Sequence, residues 1–88
     1  MIVRILGEGR YEVPDPDLPT VERLDAQLVA AMQAADETSF SATLSELLDE
    51  IRRKGTLIPP DDLRTSGLAV PHDGSTLAEV RALLNEEG

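Results

Sequence analysis

The spacing of hydrophobic positions changes along this chain, and each change predicts an element. Over Met1-Ile-Val-Arg-Ile-Leu-Gly-Glu-Gly-Arg-Tyr-Glu-Val13, two β-rich runs flank Gly7-Glu8-Gly9. Alternation around a short glycine-bearing connection predicts a β-hairpin. Centring the turn on Glu8 pairs Ile5 with Tyr11 and Val3 with Val13 on one face, and Arg4 with Glu12 on the other. A one-residue slip would lose both matches, so this register is the expectation. Pro14, Pro16 and Pro19 then mark a rigid connector.

Beyond it the period becomes helical. Val21, Leu24, Leu28, Ala31, Met32 and Ala35 form one stripe, predicting a helix over residues 20–35 with Thr20 as its N-cap. Asp36 caps a second helix whose stripe is Phe40, Leu44, Leu47, Leu48 and Ile51, with Gly55 expected as a left-handed C′ residue. The short break predicts an antiparallel αα-hairpin. Residues 56–60 read as extended, Asp61-Asp62-Leu63 as a single turn, and Leu68-Ala69-Val70 as a short third strand. Thr76 and Glu79 form a capping box before Leu77, Val80, Leu83 and Leu84, a short C-terminal helix. The fold class expected is α+β: a single domain over residues 1–88, with the hairpin packed on the αα-hairpin.

Composition narrows what such a domain can do. With 88 residues and Tyr11 and Phe40 as its aromatics, the core must be aliphatic, and no large aromatic-lined pocket is expected. Cysteine is absent, which removes disulfides, thiolate metal sites and cysteine nucleophiles. Seventeen acidic against 8 basic residues give a net charge of −9, a surface that repels nucleic-acid backbones and anionic lipid. Arg52-Arg53-Lys54 is explained by the negative end of the second helix dipole. No apolar run reaches membrane-span length and no export signal opens the chain, so a cytoplasmic protein is expected, with no insertion into the membrane.

Candidate chemistry is sparse. His72 lies in Pro71-His72-Asp73-Gly74, which reads as an exposed turn. A small enzyme or ligand-binding domain would have to centre on His72 and Asp73, and a weak cation site would draw on Asp61, Asp62, His72 and Asp73. Neither a phosphate cradle nor a nucleophile elbow is present, so no catalytic residue and no cofactor are assigned and the chain reads as non-enzymatic. The hairpin face opposite Val3, Ile5, Tyr11 and Val13 carries Ile2, Arg4 and Leu6 with Arg10 and Glu12, and these five are the candidate partner-binding residues. Its edge could pair with a second copy to give a homodimer.

Nearly the full length of the chain resembles the PspA-associated domain family, PspAA. The resemblance is carried by the opening Met1-Ile-Val-Arg-Ile-Leu-Gly-Glu-Gly-Arg-Tyr-Glu-Val13, by Asp36-Glu37-x-x-Phe40 and by Arg52-x-x-Gly55-Thr56. Pro59-Pro60-Asp61-Asp62-Leu63 and Thr76-Leu-Ala-Glu-Val-Arg-Ala-Leu-Leu84 extend it. A serine-rich stretch over residues 38–45 departs from a more alanine-rich pattern. An acyl-carrier protein has similar size and acidity, but its Asp-Ser-Leu attachment site is missing and its fold is all-helical. The resemblance to PspAA implies a small cytoplasmic adaptor or modulator of PspA, a coiled-coil membrane-remodelling protein of envelope stress, with no catalytic residues to transfer.

Overall fold

The computed structural model describes the backbone of residues 1–87 and the side chains of residues 1–82. Its order is β1 (Ile2–Ile5), β2 (Gly9–Glu12), a 3-10 turn (Asp15–Asp17), α1 (Leu18–Gln33), α2 (Glu37–Lys54), β3 (Thr56–Leu57), β4 (Leu68–Val70) and α3 (Leu77–Glu87). The four strands form one mixed sheet in the order β3-β2-β1-β4, with β4 parallel to β1 and the other neighbours antiparallel. The expected α+β fold, its hairpin, its helical hairpin and its strand at 68–70 are all present. Leu83 and Leu84 of the expected α3 stripe lie outside the described side chains. Among the described residues, no helix is long and apolar enough to cross a membrane.

One face of the sheet carries the core. Val3, Ile5, Val13 and Val70 are buried there against Val21, Leu24 and Leu28 of α1, and against Phe40, Leu44, Leu47, Leu48 and Ile51 of α2. Leu77 and Val80 of α3 complete the cluster. Both predicted helical stripes are therefore the buried stripes, except at the end of α1, where Ala35 is exposed.

The hairpin register differs from the expectation. Val3 lies opposite Tyr11, Arg4 opposite Arg10 and Ile5 opposite Gly9, so the loop is Leu6-Gly7-Glu8 instead of Gly7-Glu8-Gly9. The Glu8 N–H donates to the Ile5 carbonyl at 3.0 Å across this turn, and Gly7 supplies its positive φ of 79°. The slip is two residues. Such a slip leaves every side chain on its original face, so the burial pattern cannot distinguish the two registers. Cross-strand pairs, at about 0.2–1 kcal/mol each, decide little against the contacts that anchor the hairpin elsewhere.

Helix boundaries also moved for identifiable reasons. α1 begins at Leu18, two residues before the expected cap, because Pro19 sits in its first turn, where a missing N–H costs nothing. Gly55 has φ −88° and ψ 163°, an extended residue and not a left-handed one. The left-handed position falls at Ala35, φ 55°, after α1. There the Asp36 N–H donates to the Ala31 carbonyl at 3.0 Å and the Ala35 N–H to Met32 at 3.1 Å, the paired bonds of a Schellman end. An alanine in that conformation is strained, so Ala35→Gly is expected to raise stability by about 0.5–1 kcal/mol, readable as a higher thermal midpoint. Asp36 caps α2 as expected, accepting from the Ser39 N–H at 3.1 Å.

Candidate docking face

β3 and β4 lie at opposite edges of the sheet, so residues 58–67 must cross one of its faces to connect them. They cross the face away from the helices. At one end the Ile58 N–H donates to the Arg10 carbonyl at 2.9 Å, and at the other the Gly67 N–H donates to the Ile2 carbonyl at 2.8 Å. Between these ends the strap is held by Arg10, whose guanidinium donates to the main-chain carbonyls of Arg64, of Pro59 at 3.4 Å and of Asp62 at 2.5 Å. Arg64 in turn pairs with Glu12 at 3.0 Å and with Asp62 at 2.9 Å. That guanidinium holds the Asp62 carboxyl below the usual aspartate range, and Asp62 raises Arg64 in return.

This strap decides the state of each candidate partner-binding residue. Ile2 is buried, and Arg10 is half-buried and committed to carbonyls. Glu12 is exposed but paired with Arg64. Arg4 stays exposed and Leu6 half-buried. Both hairpin edges are occupied, β2 by β3 and β1 by β4, so the edge expected for homodimerisation is already paired within the chain. Two depressions flank the strap, one lined by Arg4, Arg10, Leu57 and Ala69 and the other by Met1, Ile2 and Leu63, with Arg64 and Thr65 lining both. Leu63, 94% exposed, and Leu57, 60% exposed, are open large apolar side chains beside them. Neither Leu63 nor Arg64 was among the candidates. The one available signal was an apolar residue inside an acidic turn, in Asp61-Asp62-Leu63.

The hairpin tip is fixed from the other side. Glu8 accepts two bonds from Arg52 of α2, at 3.0 Å and 2.5 Å, and one from the Tyr11 hydroxyl at 2.8 Å. Arg52 first, and then Tyr11, hold the Glu8 carboxyl below the usual glutamate range. The same Glu8 bond raises the Tyr11 hydroxyl. A carboxyl lowered on folding adds stability above its ordinary titration range and loses it as pH falls through the lowered value. Asp36, lowered by the Ser39 N–H and hydroxyl, and Asp62 act with the same sign. Asp25 is raised by burial and acts oppositely. Glu8→Gln is therefore expected to cost about 0.5–1 kcal/mol near neutrality, a figure discounted for its solvent exposure. The difference from the parent should shrink in urea melts as pH falls below the ordinary glutamate range and through the lowered Glu8 value.

His72 sits at the turn predicted for it. Its carbonyl accepts from the Ser75 N–H at 3.2 Å and hydroxyl at 2.7 Å, its Nδ1 lies 2.9 Å from the Asp73 carbonyl, and its Nε2 lies 3.7 Å from Glu79. Asp73 lies 3.8 Å from Arg52, and Asp62 is taken by Arg64. Among the described residues, no group of three or more His, Cys, Asp or Glu side chains could hold a metal ion. No curated protein and no solved structure matches the chain. A sheet-and-helix domain with a strapped hairpin does have a family: the chain matches PspAA, described as PspA-Associated protein, over residues 1–88, and it belongs to that family.

Proposed function

We propose that this protein is a non-enzymatic cytoplasmic adaptor that binds a PspA-like coiled-coil membrane-stress protein and modulates it. Membership of the PspA-associated family along the whole chain carries this reading. Electrostatics support it. A net charge of −9 on a domain this small steers it toward cationic surfaces, such as those a membrane-binding protein presents to anionic lipid. The protein reaches the inner face of the membrane through that partner, since its own charge opposes contact with lipid.

His72 favours the adaptor over an enzyme. Its ring is exposed, its nitrogens face the Asp73 carbonyl and Glu79, and the neighbouring Ser75 hydroxyl donates to the His72 carbonyl and not to the ring. Self-association through strand edges has little to work with, because the outer strands are only two and three residues long.

Titration of the purified protein against PspA at low salt tests the proposal. Saturable binding that weakens as salt rises is expected. Absence of binding at low ionic strength would remove it. His72→Ala should leave the affinity unchanged.

A further inference from the structure

The observed register creates a feature that the expected one would have cancelled. Opposite Arg4 the expected pairing placed Glu12, a neutralising partner; the actual partner is Arg10. Two guanidinium-bearing residues therefore face one another across neighbouring strands, on the same side of the sheet, with Cβ atoms about 4.5–5.5 Å apart. Like charges in that position destabilise a sheet. This occurs in a chain with 17 acidic residues available to relieve it. Arg10 donates to main-chain carbonyls and lies close enough to the Asp62 carboxylate to help hold it below the usual range. Arg4 is exposed and makes no ion pair among the described residues. Arg4 thus leaves a cationic spot open on a strongly anionic molecule, in a depression that shares Arg64 and Thr65 with the one lined by the exposed Leu63.

We infer that the strapped face of the sheet is a docking surface for an acidic, leucine-bearing segment of the partner polypeptide. Arg4 receives a carboxylate from that segment, and Leu63 packs on its apolar residues. The inference rests on the reading of the protein as a PspA adaptor and specifies the face used. Local charge complementarity selects the segment that seats on this face, while the net charge of −9 acts at longer range on the partner's cationic surface. A carboxylate beside Arg4 relieves the repulsion from Arg10, whereas a basic segment would add to it. Leu63 supplies the apolar contact that a bare ion pair lacks, and such contacts at an interface centre carry most of its affinity.

Arg4→Glu separates binding from folding, because it converts a like-charge pair into an attractive one. The variant should melt at or above the parent's temperature yet bind PspA at least about tenfold more weakly. Leu63→Ala removes a side chain that is 94% exposed, so it should melt like the parent and also bind more weakly. Arg23→Glu, an exposed change on α1, should bind like the parent. If Arg4→Glu and Leu63→Ala both bind like the parent, the face is wrong while the adaptor reading stands. If the parent itself fails to bind PspA at low salt, both fall.

Discussion

Phe40→Ala is expected to remove about 3–5 kcal/mol of stability, the largest loss from a single truncation in this domain. Phe40 is fully buried, the largest side chain of the core, and one of two aromatic residues in the chain. It stands in the first turn of α2, in the cluster where α1, α2 and the sheet converge. The remaining members are aliphatic and already close-packed, so they cannot collapse far enough to fill the space left behind. α3 feels the same change, because Glu37, three residues away, accepts the Leu77 N–H at 3.2 Å and ties α3 to the start of α2. A domain of this length is stabilised by roughly 4–13 kcal/mol in total. The truncation therefore consumes about a quarter or more of that, and the thermal midpoint should fall by about 15–30 °C. Phe40→Leu, which keeps most of the volume, should cost far less. A loss below about 1 kcal/mol for Phe40→Ala in urea melts would contradict the packing described.

The helical part of this architecture was legible because burial imposes a period that a sequence displays directly. Val21, Leu24, Leu28 and the Phe40 stripe could be placed on a face before any coordinate, and they occupy it. What remained hidden has a common physical character. The two-residue register slip is invisible to the hydrophobic pattern, since both registers bury the same side chains. β3 is two residues long and exposed, too short to show alternation. The Arg10 bonds to the carbonyls of Pro59, Asp62 and Arg64 join residues 49–54 apart, and a guanidinium seeking main-chain oxygen leaves no complementary side chain to find. Of the candidate face, the side was readable from alternation. The strap that buries Ile2, occupies Arg10 and presents Leu63 was not.

Gly55→Ala is the other substitution expected to act strongly, and its sign separates two reasons for which a glycine is kept. The extended angles of Gly55 are open to any residue, so conformation alone predicts that alanine there would stabilise by about 0.4–1 kcal/mol, through a less flexible unfolded chain. Space predicts the reverse. A Cβ at this position would lie 2.6 Å from the Ile51 carbonyl oxygen, 3.0 Å from the Tyr11 Cβ and 3.4 Å from the Glu12 carbonyl oxygen. Two of these three are main-chain atoms, and neither can rotate away. Ile51 is fully buried in α2, and its carbonyl also accepts the Gly55 N–H at 2.8 Å, so relief must come from moving the end of α2 away from β2. That movement strains the pairing of β3 with β2 and the Arg52 bonds to Glu8, both within three residues of the glycine. Steric crowding of this kind costs about 1–3 kcal/mol, which outweighs the gain from the unfolded state. A lowered urea midpoint for Gly55→Ala, beside a raised one for Ala35→Gly, is the expected pair of results. A neutral or stabilising Gly55→Ala would mean that α2 does not approach β2 as closely as described.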